Sequence, residues 1–278
     1  MSVGTFSGTI PNNEISDELR SPASSVAEEF PGTPNPYEKA LLELFEKAPR
    51  GSLLDAPCGK GRLSVWLREI GYDTHCFDID AHLFRGDGFP FEAGDLNENL
   101  PYADNSFDYI LCKNGAQRIF ALDHLFSEFN RALKPGGTLV VSTPNYARIQ
   151  RRLRYLVFGS VSRNVNSQLC GGSVDSHTAR FRCALLYPQI EQTLQRQGFA
   201  VERITSDGKP YAAIHLLPYI FPIRLLSWFA SEGKQEGYSL RGGNSAHALA
   251  GGRHLIVLAK KITSFPDARG SRSAIRIV

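Results

Sequence analysis

The sequence predicts an α/β protein built on a doubly wound, mostly parallel sheet with helices on both faces. Three observations predict it. Short apolar runs alternate with helix-period segments between residues 52 and 144. The first run enters a glycine-rich turn, Asp55-Ala-Pro-Cys-Gly-Lys-Gly61, that leads into a helix. A chain of 278 residues with 42% hydrophobic and 21% charged side chains can also bury a large core, which excludes disorder of the whole chain.

Taken in order, residues 1–36 are rich in Ser, Pro, Asn and Glu and carry no apolar period, so they read as a flexible N-terminal arm. In residues 37–48, Leu41, Leu42, Leu44 and Phe45 form one stripe of an amphipathic helix able to cover a later site. SLLDA (52–56) is expected as a buried strand, GRLSVWLREIG (61–71) as a helix and THCFDID (74–80) as a second strand. Strands at 89–95 and 106–113 follow, then a helix over 119–134. Pro135, Gly136 and Gly137 are expected to stop that helix and turn the chain into a strand at 136–144.

A helix over 183–199 ended by Gly198, a strand at 199–206 and a last strand at 253–261 complete the pattern. The predicted domain runs over 37–262, with cap insertions at about 145–181 and 207–252 that are too long for plain connections. Residues 263–278 read as a basic tail.

Lys and Arg number 31 against 28 Asp and Glu, and a net charge of +3 makes no case for a nucleic-acid partner. Five scattered cysteines without a C-x-x-C pair suggest neither a zinc ribbon nor a disulfide framework, and no metal is expected. The N-terminus lacks the basic and apolar regions of a secretory signal, so a cytoplasmic protein is expected. Tyr211 to Ala230, YAAIHLLPYIFPIRLLSWFA, is apolar enough to consider as a membrane span, but Pro218, Pro222, His215 and Arg224 count against one. A buried cap helix is the first expectation, and peripheral contact with the inner membrane surface is the second.

The chemistry-bearing residues begin with Gly59 and Gly61, placed where a nucleotide-like ligand must approach main chain closely. Asp78 lies 17 residues after Gly61, at the end of the second strand, and a carboxylate there accepts both hydroxyls of a ribose. A dinucleotide turn would place glycine where Ser64 stands, and an NAD-dependent oxidoreductase is therefore the alternative reading. Asp104 and Asp108 suit turn and strand-end positions, and Cys58 and Cys112 suit small buried hydrophobes.

Five segments in this order, LLDAPCGKGR (53–62), FDID (77–80), GDLNENLPYADNSFDYILC (94–112), SEFNRALKPGG (127–137) and LVVSTPN (139–145), resemble the class I S-adenosylmethionine-dependent methyltransferases, in particular the type 11 small-molecule group. The resemblance covers about half of the chain. It implies a Rossmann-like, seven-stranded, mostly parallel sheet with an antiparallel last strand, and S-adenosyl-L-methionine as cofactor. It further implies that Asp55, Gly59 and Gly61 hold the methionine part of the cofactor and that Asp78 takes the ribose. Asp95 and Leu96 would flank the adenine, and Lys113 and Asn114 would line the methyl-donor side.

On the acceptor side, His177 is the candidate general base for a hydroxyl acceptor, and Asn145 and Tyr146, just beyond a strand end, are candidates to bind the acceptor. His124 is a weaker candidate. The expected activity is O-methylation of a small-molecule or a lipid- or glycan-linked acceptor; the non-catalytic alternative is an S-adenosylmethionine-binding partner subunit. Arg148, Arg151, Arg152 and Arg154, interleaved with Ile149, Leu153, Leu156 and Val157, give one helix a cationic and an apolar face suited to an anionic acceptor near a membrane. A nucleic-acid substrate is disfavoured, because the fourth strand ends in CKNG and no stacking aromatics alternate with the arginines.

Overall fold

A computed structural model describes residues 30–160, 183–209 and 216–262. In chain order its elements are α1 (Pro36–Glu46), β1 (Ser52–Asp55), α2 (Arg62–Glu69), β2 (Asp73–Asp78), β3 (Phe91–Ala93), β4 (Phe107–Lys113), α3 (Leu122–Ala132), β5 (Leu133–Pro144) and α4 (Ile149–Phe158). After them come α5 (Tyr187–Arg196), β6 (Phe199–Ser206), α6 (Leu217–Phe229), α7 (Glu232–Gly237), α8 (Leu240–Gly243), α9 (Ala246–Ala250) and β7 (His254–Lys261). The seven strands form one sheet in the order β3-β2-β1-β4-β5-β7-β6. The β1–β2, β1–β4, β2–β3 and β4–β5 pairs are parallel. β7 runs antiparallel between β5 and β6.

Strand alternation divides the core in two. Leu111, Val140 and Ile256 face α1 and α2, where Leu41, Phe45, Leu63 and Leu67 cover them. Ile110, Leu139, Val141 and Val257 face the other way, onto Phe126 and Phe129 of α3 and Ile190 and Leu194 of α5. The first helix is set by its own cap. The Asn35 side chain accepts from the Tyr37 and Glu38 amides at 3.0 Å, and Glu38 returns a bond from the Asn35 amide at 3.1 Å, with Pro36 already at a helical φ.

The structure corrects the expected elements in three places. β5 begins at Leu133 rather than at Gly136: Leu133 is drawn fully into the core and pairs with Phe107, so Lys134 to Gly137 form an irregularity within the strand, before Thr138 pairs with Tyr109. The helix expected from residue 183 starts at Tyr187, where Pro188 sits in its first turn. The largest correction concerns α6, which is not a buried cap. Of its apolar side chains only Ile220 is buried, whereas Phe221 is 66%, Trp228 76% and Phe229 73% exposed. Pro222 stands inside this helix without ending it. Ile220, Leu216 and Ile223 pack with Ile149 of α4 and Leu249 of α9 in a small separate cluster, which ties the two inserted regions together.

Candidate active site

The chain leaves β1 at Asp55 and turns into α2 beside the carboxyl end of β2. The Cys58 amide donates to the Phe77 carbonyl at 3.0 Å, and the Gly59 amide donates to Asp78 Oδ2 at 2.7 Å. The other Asp78 oxygen accepts from the Asp80 amide at 3.1 Å, so this buried carboxylate joins the glycine turn to the strand end. Gly59 has φ +57°, and a side chain at that position would meet nothing within 4 Å: the turn is open there. At Gly61, φ +79°, a side-chain carbon would stand 2.7 Å from the Phe84 ring.

Asp55 is fully buried. Its Oδ2 accepts from the Ser64 hydroxyl at 2.7 Å, while Oδ1 has no hydrogen-bond partner among the described residues. Burial is the main cause that pushes its carboxyl up to about 7; the Ser64 bond and the Lys113 charge oppose the rise, and Asp78 adds to it. Ser64, which breaks the dinucleotide pattern, thus has a definite function here.

Lys113 leaves the end of β4 toward α1, where Glu38 Oε1 meets its ammonium at 3.0 Å. Arg62 approaches the same carboxylate at 3.7 Å. Asn114 follows in a left-handed conformation, φ +53°, with its Oδ1 buried and unpartnered. Gln117 gives its amide nitrogen to the Asn114 carbonyl at 3.0 Å, and its own Oε1 is likewise unpartnered. Asp95 Oδ1 accepts from the Asn97 amide and side chain, both at 2.8 Å, and Leu96 is buried in the core beside them. The end of β1 and the loop after β4 therefore hold three buried acceptor oxygens, on Asp55, Asn114 and Gln117, that have no donor among the described residues.

On the acceptor side, His177 lies outside the described residues. Asn145 is fully buried, and its side-chain nitrogen is committed to the carbonyls of His247, Ala248 and Gly252 at 3.1–3.4 Å while its oxygen accepts from the Ala147 amide at 3.1 Å. Its side chain clamps the α9–β7 connection rather than lining a pocket. Tyr146 is buried beneath the Arg151 guanidinium, 4.8 Å from its ring centre. Asp108 and Asp104 are structural, as expected: the first ties Ser52 to Lys134 and the second pairs with Arg131. Cys112 is buried, and burial pushes its thiol up to about 12.

The structure also assembles a constellation that the sequence does not announce. His254, first residue of β7, and Asp207, just past the end of β6, meet with Nδ1 and Oδ2 2.8 Å apart, while the His254 amide donates to the other carboxylate oxygen at 2.8 Å. Burial pushes the Asp207 carboxyl up, but these bonds and the His254 charge outweigh it and hold the carboxyl below its ordinary value. Tyr37 of α1 stacks on the imidazole, centroids 3.8 Å apart and planes 15° apart, and its hydroxyl bonds to Ser142 of β5. Burial, the largest cause, pushes the Tyr37 phenol far up. Because β7 is antiparallel, its first residue lies at the same edge of the sheet as the carboxyl ends of β4, β5 and β6. The only signal in the sequence is that Asp207 and His254 both sit at predicted strand ends.

A family model described as a methyltransferase domain matches residues 32–204. A demethylmenaquinone methyltransferase of Beutenbergia cavernae is 32% identical over 119 residues, 40% of this chain and 49% of the relative, so the chain spans about half the length of that protein. Another, of Lactobacillus johnsonii, is 25% identical over 206 residues, 66% of this chain and 82% of the relative. The solved structure of a SAM dependent methyltransferase from Archaeoglobus fulgidus shares the fold, with a TM-score of 0.50 at 17% identity over 84% of this chain and 97% of that one. The family match decides against the nicotinamide reading of the glycine turn. With that match spanning more than half of its length, the chain belongs to the family of methyltransferase domains, with the class I fold.

Proposed function

We propose that this enzyme methylates a hydroxyl on a small-molecule or lipid- or glycan-linked acceptor, by in-line transfer in the crevice at the carboxyl ends of β1, β2 and β4. The carrying observation is the set of unpaired buried acceptors beside an open glycine turn. Asp55 Oδ1, Asn114 Oδ1 and Gln117 Oε1 need N–H donors, and the cofactor's ammonium and exocyclic amine are such groups. Gly59 admits its approach to main chain, Gly61 keeps the turn packed on Phe84, and the remaining lone pairs of Asp78 suit the ribose diol. Asp95 and Leu96 are assigned to the adenine, and Lys113 with Asn114 to the donor side. When bound, the cofactor supplies a methyl group already activated by its sulfonium charge.

What the chain must add is position, dryness and a place for a proton. The Asp207–His254 pair supports the last role. A carboxylate only accepts, so the Nδ1 bonded to it carries a hydrogen, and Nε2 is the ring nitrogen left to exchange a proton with the acceptor. This imidazole is a second candidate base for the acceptor hydroxyl, in addition to His177, which is assigned by resemblance, and Tyr146 is assigned to the acceptor side. The exposed apolar side chains of α6 support peripheral contact of residues 211–230 with a membrane, and no described helix is long and apolar enough to cross one.

Calorimetry with S-adenosylhomocysteine tests the donor site. Binding is expected, with Asp78→Ala weakening it at least about tenfold, roughly the worth of one hydrogen bond to a charged group. Unchanged affinity in a variant whose circular dichroism matches the parent would overturn the assignment. Transfer of a labelled methyl group into cell extract, read by mass spectrometry, identifies the acceptor and the atom methylated.

A further inference from the structure

A cavity of about 280 Å³ opens between α4 and the start of β7, and its lining is almost entirely cationic: Arg148, Arg151, Arg154 and Arg253, with Gln150. Four guanidinium groups around one hollow repel each other, and three of them, Arg148, Arg154 and Arg253, have no counter-ion at salt-bridge distance among the described residues. The Nε of Arg148 is buried without a hydrogen-bond partner. Burial, the largest cause, together with the charges of Arg151 and Arg253, pulls the Arg148 guanidinium below its ordinary value, against the opposing pull of Asp207. The neighbouring Arg152 shows what a structural arginine looks like here: it bonds the carbonyls of Ala147 at 2.8 Å and Gly243 at 2.7 Å and takes no part in the lining.

We propose that this cavity is an anion subsite that takes the phosphate or diphosphate group of the acceptor. Guanidinium forks match phosphate oxygens two at a time, and several such forks converging on one hollow suit a group with oxygens on every side. The volume falls just short of what a drug-sized ligand fills, which suits a phosphate ester or diphosphate. The place agrees as well. Arg253 is the residue before His254, and Arg148 lies within the electrostatic reach of Asp207, so an acceptor anchored here extends toward the Asp207–His254 pair. The subsite rests on the methyltransferase reading above and deepens it by assigning the acceptor a phosphate.

The test is calorimetric titration of the full chain with sodium pyrophosphate, and in parallel with S-adenosylhomocysteine. Pyrophosphate is expected to bind the parent and to bind the Arg154→Gln/Arg253→Gln double variant at least about tenfold more weakly, while S-adenosylhomocysteine affinity stays within about twofold. Both side chains reach solvent, so the double variant should fold; its melting temperature checks this, and Arg154→Gln alone serves if it does not. A parent that takes up no pyrophosphate at about 10 mM, or variants that bind it as the parent does, would overturn the subsite. Failure of S-adenosylhomocysteine alone would instead strike the donor assignment.

Sedimentation with phosphatidylcholine vesicles, with and without phosphatidylglycerol, separates the sources of the phosphate. Pelleting that needs phosphatidylglycerol and is competed by pyrophosphate supports the subsite with a lipid phosphate. Pyrophosphate binding without pelleting supports it with a soluble phosphate ester.

Discussion

The buried Asp55 carboxyl links the site to pH. Its native value near 7 lies above the ordinary 3.8, so between those values the folded chain keeps a proton that the unfolded chain releases. Stability from this group is therefore full below about pH 4 and falls as pH rises toward 7, by an amount on the order of a few kcal/mol. Denaturant titrations of the parent and Asp55→Asn should diverge across this window, the variant gaining on the parent as pH rises; parallel curves from pH 4.5 to 7.5 would contradict the account. The same residue shows what could be read in advance. Its place at the end of a buried strand was legible as Asp55 before a glycine turn, whereas the missing partner of its Oδ1 arises only when the loops after β1 and β4 close around it.

Among the elements, α1 contributes more than cover. Its amphipathic stripe was plain from Leu41, Leu42 and Phe45, and its buried Glu38 joins cap, Lys113 and Arg62 in one cluster. Glu38→Gln keeps the size but removes the counter-charge, leaving two cations with poorer partners; a loss of about 1–3 kcal/mol in urea unfolding is expected. A variant as stable as the parent would show that the cluster is solvated rather than structural. Elsewhere, local pattern reached its limit at β5 and α5. Leu133 and Tyr187 mark the true starts because β4 and the core below α5 recruit them, and neither neighbour is close in sequence.

At the scale of the whole molecule, α4 and α6 share a small core through Ile149, Leu216, Ile220 and Ile223, and both present apolar side chains to solvent: Leu156, Val157 and Phe158 from one, Phe221, Trp228 and Phe229 from the other. The arginine cavity lies beside α4 on this assembly. If the face meets lipid, Trp228→Ser/Phe229→Ser should reduce partition onto phosphatidylglycerol vesicles at least about tenfold, since each aromatic withdrawn from water is worth roughly 1.5–3 kcal/mol. The melting temperature should hardly move, because both side chains are already exposed. Equal partition of variant and parent would remove lipid as the partner of this face.

The alternation of apolar runs, the glycine turn and the spacing to Asp78 determined the fold class and pointed to the residues proposed for the donor half of the site, because each is a local pattern with one backbone solution. The proposed acceptor half rests on the tertiary structure alone. Inserting antiparallel β7 between β5 and β6 brings His254 to Asp207, and α1 then lays Tyr37 across that imidazole and onto Ser142. The exposure of α6 was equally hidden, because an apolar run has the same composition whether core or solvent covers it, and only the packing of the rest of the chain determines which.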